Sequence, residues 1–191
     1  GLGNTTNYSS PVQIGTATNW TSCNAAADNS FAIAGGAFYA TGNGGGVNGD
    51  GTTSVRRTFV QVGSLTDWSK ACGVGAQGYT AMALKTDGTI WGWGYNYNGI
   101  LAANASTNYS SPIQVGDSSD WIDIQLGTKH AIGIRDSGDG ETGTLWTWGA
   151  NTVGQLGLGN TTGYLSSPNQ VGDSSDWRAV MAGNYWSFGV R

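Results

Sequence analysis

From Trp121 to Ile134 apolar and polar positions alternate: Trp121-Ile122-Asp123-Ile124-Gln125-Leu126 runs with a period of two, Gly127-Thr128-Lys129 interrupts it, and His130-Ala131-Ile132-Gly133-Ile134 resumes it. A period of two marks a half-buried β-strand, and a short break containing glycine between two such runs marks a hairpin. The pattern predicts strands over 121–126 and 130–134, then another hairpin turn and a tryptophan-rich strand from Leu145 to Trp148. Earlier in the chain Thr86-Asp87-Gly88-Thr89 predicts a tight turn, because Asp-Gly tolerates the positive φ such hairpins need. No apolar series recurs at three and four residues and glycine interrupts most windows, so helices are not expected. The reading is all-β.

The same order returns along the chain. Leu145 to Trp177 reads LWTWGANTVGQLGLGNTTGYLSSPNQVGDSSDW, Ile90 to Trp121 reads IWGWGYNYNGILAANASTNYSSPIQVGDSSDW, and the first residues are GLGNTTNYSSPVQIGTATNW. Gln13, Gln61, Gln114 and Gln170 keep step with Trp20, Trp68, Trp121 and Trp177, at spacings of 48, 53 and 56 residues. A period near 50 residues signals a solenoid, propeller or array whose units bury their apolar faces on one another. Several short antiparallel strands per unit make a small twisted sheet, and such sheets pack radially as propeller blades. The expectation is one array over residues 1–191, with about four blades and no internal domain boundary. The glycines of Trp-Gly-Trp-Gly and of Gly154 to Gly159 then serve close approach or positive φ, and the tryptophans fill the space between blades.

Composition narrows the function. The 191 residues include 33 glycines and nine tryptophans, 38% are hydrophobic and 10% charged, and the formal net charge is −4. Lysine and arginine total only 8, and Arg56-Arg57 is the only adjacent basic pair, so no nucleic-acid partner is expected. No window approaches the roughly eighteen apolar residues that span a bilayer, so no membrane insertion is expected either. The N-terminus has neither region of a signal peptide. Gly1-Leu2-Gly3-Asn4-Thr5-Thr6 repeats Gly157 to Thr162, which places the expected start of the polypeptide upstream of Gly1.

Candidate chemistry is sparse: there is one histidine, one glutamate (Glu141), and neither Gly-x-Ser-x-Gly nor His-Glu-x-x-His. No catalytic residue, cofactor or enzyme activity is expected. Gly44 to Gly49 fits Gly-x-Gly-x-x-Gly, but no helix follows to present its N-terminus to a phosphate. Asp136, Asp139 and Glu141 space acidic oxygens along a lengthened hairpin loop, which makes them a weak calcium candidate beside the plainer reading of a solvated loop. Cys23 and Cys72 follow their repeat tryptophans, where Ile124 and Val180 stand in later units, and are read as small buried hydrophobes. His130, aligned with Asn29 and Trp186, is read as structural. Asn-x-Ser/Thr sequons at Asn4, Asn7, Asn19, Asn104, Asn108 and Asn160 recur with the repeat. The better binding candidates are tyrosines. Tyr8, Tyr109 and Tyr164 precede the Ser-Ser-Pro turn, and Tyr95 and Tyr97 follow Trp-Gly-Trp-Gly. Stacked units would gather them on one face for protein or glycan contact, or else they cover blade junctions.

Trp148-Gly149-x-Asn151-x-x-Gly154-Gln155-Leu156-Gly157-x-Gly159, continuing to Pro168 and Val171, resembles the repeat of the regulator of chromosome condensation family, whose fold is a seven-bladed β-propeller. The likeness covers essentially the whole chain. The unit ending at Gln61 departs most: Phe59 replaces the proline, Asn48 the leucine, and Phe38-Tyr39-Ala40-Thr41-Gly42 the Trp-Gly-Trp-Gly. The resemblance implies that about four blades belong to a larger ring, completed by further blades of the same chain or by a second copy, since open arcs expose sheet edges.

With no reactive site, the expected function is a non-enzymatic interaction or structural propeller. Low charge and near-identical repeats resemble arrays of virion and microbial surface proteins, which makes a virion or extracellular component, with other assembly subunits as partners, the first expectation. The family also implies a regulatory alternative, a nucleotide-exchange factor for a small GTPase, and a third, a secreted inhibitor of an enzyme.

Overall fold

The computed structural model describes residues 1–73, 79–96, 99–102 and 107–191. Three four-stranded antiparallel sheets follow one another, each in the order of its sequence. The first blade comprises β1 (Trp20–Ala26), β2 (Asn29–Ala34), β3 (Ala37–Gly42) and β4 (Arg56–Gln61). The second comprises β5 (Trp68–Gly73), β6 (Thr80–Lys85), β7 (Ile90–Gly94) and β8 (Tyr109–Gln114). The third comprises β9 (Trp121–Leu126), β10 (His130–Asp136), β11 (Gly143–Ala150) and β12 (Tyr164–Gln170), and a hairpin of β13 (Ala179–Ala182) and β14 (Ser187–Val190) packs beyond it. The strands expected over 121–126 and 130–134 are β9 and the start of β10, and the Asp87-Gly88 turn joins β6 to β7 with Gly88 at φ 78°. The count of about four blades resolves into three complete sheets and a two-stranded fourth.

The cores lie between sheets. Phe31, Ile33, Phe38 and Val62 of the first blade interlock with Trp68, Ala71, Ala83 and Trp93 of the second. Met82, Leu84, Ile90 and Val115 of the second meet Trp121, Ile124 and Trp148 of the third. At the first junction Phe38 meets Trp68 and Trp93 edge-on, with ring centroids 5.9 and 5.0 Å apart. Trp93 and Trp148 are fully buried, and each indole donates to a carbonyl one blade earlier, Val47 at 2.8 Å and Ile100 at 2.7 Å. Gly94 shows why the motif ends in glycine: its φ is 93°, and a Cβ there would stand 2.0 Å from the Tyr79 carbonyl oxygen.

Innermost strands are tied to each other by side chains. Ser22 Oγ accepts from the Ala71 amide at 3.3 Å, and Asp123 Oδ2 accepts from the Val180 amide at 3.2 Å. The second blade has Lys70 at that register and cannot accept. Lys70 instead forms an ion pair with Asp123, whose Oδ1 accepts the Ile124 amide within its own strand.

The departures of the first blade have local compensations. Thr41 stands at the register that Trp93 holds in the second blade, and its Oγ1 donates to the Arg56 carbonyl. Asn48 is fully buried in place of leucine, yet it accepts from Asn29 and donates to the carbonyls of Asn43 and Ser54, so no polar atom is left unmatched. One expectation needs correction. Cys72 is buried and its thiol donates to the Ile124 carbonyl, but Cys23 is exposed, because the face of β1 on which it stands carries no packed sheet among the described residues.

Candidate interaction surface

Strand alternation divides the charges between two ends. The turns between first and second strands and the loops between third and fourth strands lie at one end of every blade; the hairpins between second and third strands and the blade connectors lie at the other.

The first end carries the tyrosines. Tyr95 packs on Tyr79 with ring centroids 5.3 Å apart and planes tilted by 57°. Tyr109 is half-buried and packs on both inter-blade cores, so it covers a junction. Tyr164 is exposed at the start of β12, and Tyr8 is exposed with its hydroxyl accepting from Asn4 at 3.1 Å. Tyr97 and the sequon at Asn104 lie outside the described residues. Each long loop is pinned by a buried asparagine: Asn96 Oδ1 accepts the Leu101 amide at 2.9 Å, and Asn151 Oδ1 the Leu156 amide at 3.1 Å. Gly44 to Gly49 belongs to such a loop, with no helix after it and with Gly49 against the Trp93 indole.

His130 lies at the same end, fully buried, with its imidazole over Gly127. Ser187 Oγ donates to the Gln155 carbonyl at 2.9 Å, so it receives the proton of His130 Nε2, also at 2.9 Å. Burial pushes this imidazole down to about 4, which keeps it neutral as the link between the third blade and β14.

The other end holds nine of the twelve acids: Asp67, Asp87, Asp117, Asp120, Asp136, Asp139, Glu141, Asp173 and Asp176. Its cations are largely consumed by a motif that sequence reasoning missed. Lys85 pairs with Asp67 at 3.2 Å and lies over Trp68 and Trp91 at 5.1 and 4.5 Å. Arg135 repeats the arrangement with Asp120 at 2.8 Å and with Trp121 and Trp146 at 5.8 and 4.9 Å. Arg191 pairs with Asp176 and covers Trp177. In the calcium candidate, turn hydrogen bonds occupy the aspartates. Asp136 Oδ1 accepts from Gly138 and Gly140, while the Thr142 and Glu141 amides and the Thr142 hydroxyl hold the Asp139 carboxyl at about 2. No group of three His, Cys, Asp or Glu side chains able to hold a metal occurs among the described residues.

The family model for the regulator of chromosome condensation (RCC1) repeat matches residues 87–134 and 142–190, just over half of the chain. The chain belongs to the RCC1 repeat family. Human protein RCC2 is 30% identical over 93 residues, 48% of this chain and 17% of RCC2. The ultraviolet-B receptor UVR8 of Arabidopsis thaliana is 32% identical over 82 residues, 42% of this chain and 18% of UVR8. The crystal structure of Prp20p from Saccharomyces cerevisiae, a protein described with binding properties to Gsp1p and histones, superposes with a TM-score of 0.70 at 13% identity, over 87% of this chain and 42% of Prp20p. The chain thus spans about a fifth of the curated relatives it matches. The RCC1 frame accounts for the blades, the inter-blade indoles and the pinned loops, and this chain is an RCC1-like propeller interaction module.

Proposed function

We propose that this RCC1 module is a regulatory one, which binds protein partners through its blade ends and promotes nucleotide release from a small GTPase. One observation carries the reading: long loops stand on a rigid RCC1 frame, each anchored by a buried asparagine. Preorganised loops bind with little ordering cost, and an exchange factor needs only to favour the nucleotide-free partner over the loaded one. The match to RCC2 and the likeness to Prp20p support this reading over the virion or cell-surface component expected from composition.

The test is fluorescent GDP release from a panel of small GTPases at rising concentrations of the chain. Release from one of them should accelerate and saturate, and Tyr95→Ala should weaken it. Release that stays at the intrinsic rate for every GTPase would overturn the exchange reading.

A further inference from the structure

We propose that the acidic end binds an extended, arginine- or lysine-bearing segment of a protein partner in the cleft between the 86–89 hairpin of the second blade and the 137–142 hairpin of the third. The cleft encloses about 480 Å³ and is lined by Leu84, Asp87, Asp120, Trp121, Ile122 and Asp136. Lys85 also reaches it, but its ammonium is held by Asp67 and two indoles.

Three features select this occupant. At each of the two acids that line the cleft, the turn bonds fall on one carboxylate oxygen: Thr89 donates to Asp87 Oδ1, and Gly138 and Gly140 donate to Asp136 Oδ1. Oδ2 of each carboxylate is thereby left for an incoming cation. Trp121 is 4% exposed, and its Nε1–H is buried without an acceptor among the described residues, a donor that a main-chain carbonyl would satisfy. Leu84 and Ile122 provide an apolar wall for the methylene stem of a long basic side chain. A bare cation would use only the first feature; a basic peptide uses all three.

The charge distinguishes this junction from the first. Trp68 shares the unmatched indole donor, as Trp177 does, but the hairpin preceding Trp68 is Gly35-Gly36, without an acid, and Ala34 occupies the register of Lys85 and Arg135. The acidic end carries nine acids against Lys85, Arg135, Arg178 and Arg191, so its field attracts a basic partner before contact.

This inference rests on the reading of the chain as a protein-binding module and is independent of exchange activity: peptide binding with unchanged GDP release would separate the two. The experiment is fluorescence anisotropy of the full chain with a fluorescein-labelled peptide of alternating glycine and arginine. Binding should weaken steeply between low and physiological salt. The double variant Asp87→Asn, Asp136→Asn, which keeps the turn acceptors, should lose roughly tenfold in affinity, and Asp28→Asn at the opposite end should lose nothing. Trp121→Phe, checked for an unchanged unfolding midpoint, should weaken the arginine peptide further. Equal binding of a glycine–glutamate peptide, equal affinity of the double variant, or an equal loss in Asp28→Asn would each overturn the proposal.

Discussion

The Trp148 indole N–H donates to the Ile100 carbonyl at 2.7 Å across the junction of the second and third blades, and Trp93 repeats the bond to Val47 one junction earlier. Each bond does two jobs: it fills the gap between sheets with a large ring and satisfies a loop carbonyl that packing has removed from water. Trp148→Phe keeps most of the ring and strands the carbonyl, at a cost of about 1–3 kcal/mol. Trp148→Ala adds a cavity and should cost about 3–5 kcal/mol. Urea denaturation at neutral pH would rank the two; a Trp148→Phe variant as stable as the parent would mean the hydrogen bond contributes nothing, and equal losses in the two variants would mean the ring's packing does.

The stacked cations offer a second test. Arg135 lies between Trp121 and Trp146 while pairing with Asp120, in a partly exposed setting. Arg135→Met keeps the stem but removes the ion pair and the cation–π contacts, and should destabilise by about 1–2 kcal/mol. Arg135→Lys should recover only part of this, because the planar guanidinium stacks and pairs with both carboxylate oxygens at once. A lysine variant as stable as the parent would show that point charge alone matters.

These two sites also mark what the residue order could and could not disclose. Trp121 to Ile134 announced its strands by period, and the repeated Trp-Gly-Trp-Gly announced a glycine at φ 93° and an indole between sheets, because local backbone demands and repeat spacing are written in consecutive residues. The Lys85 and Arg135 stacks were not legible, since each joins residues from three strands whose alignment appears only once the register pairs Trp68 with Lys85 and Arg135 with Trp121. The acidic end was hidden for the same reason: its aspartates are spread between Asp67 and Asp176 and converge only when the strands alternate. Cys23 was misread because it stands three residues after its tryptophan, where the third unit has the buried Ile124, whereas burial depends on which sheet faces it.

His130 should give the fold a pH dependence. Its folded-state pKa is lowered from 6.5 to about 4 by burial, so the unfolded chain binds the extra proton first. The stability tied to the neutral imidazole is therefore complete above about pH 6.5 and declines as pH falls towards about 4. By pH 5 the loss should be about 2 kcal/mol. Unfolding midpoints at pH 7.5 and pH 5 would measure it, with His130→Asn, the residue type found at the matching Asn29, as the reference. A slope unchanged in His130→Asn would assign the acid sensitivity to another group.

The two thiols should separate cleanly in reactivity. Cys72 is fully buried between the second and third blades, its Sγ–H donates to the Ile124 carbonyl at 3.1 Å, and burial pushes its pKa up to about 12. At pH 8 almost none of it is thiolate, and the thiolate is the attacking species. Cys23 is exposed on β1. A thiol-reactive chromogenic disulfide should label one site quickly in the native chain and the second only on denaturation, with mass spectrometry of the quenched peptides placing the fast label on Cys23. The rate at Cys72 should follow the opening of the inter-blade core, so Trp148→Phe, which loosens that same junction, should raise it while leaving Cys23 unchanged. Fast labelling of both thiols in the native chain would mean that the second and third blades do not hold the junction closed.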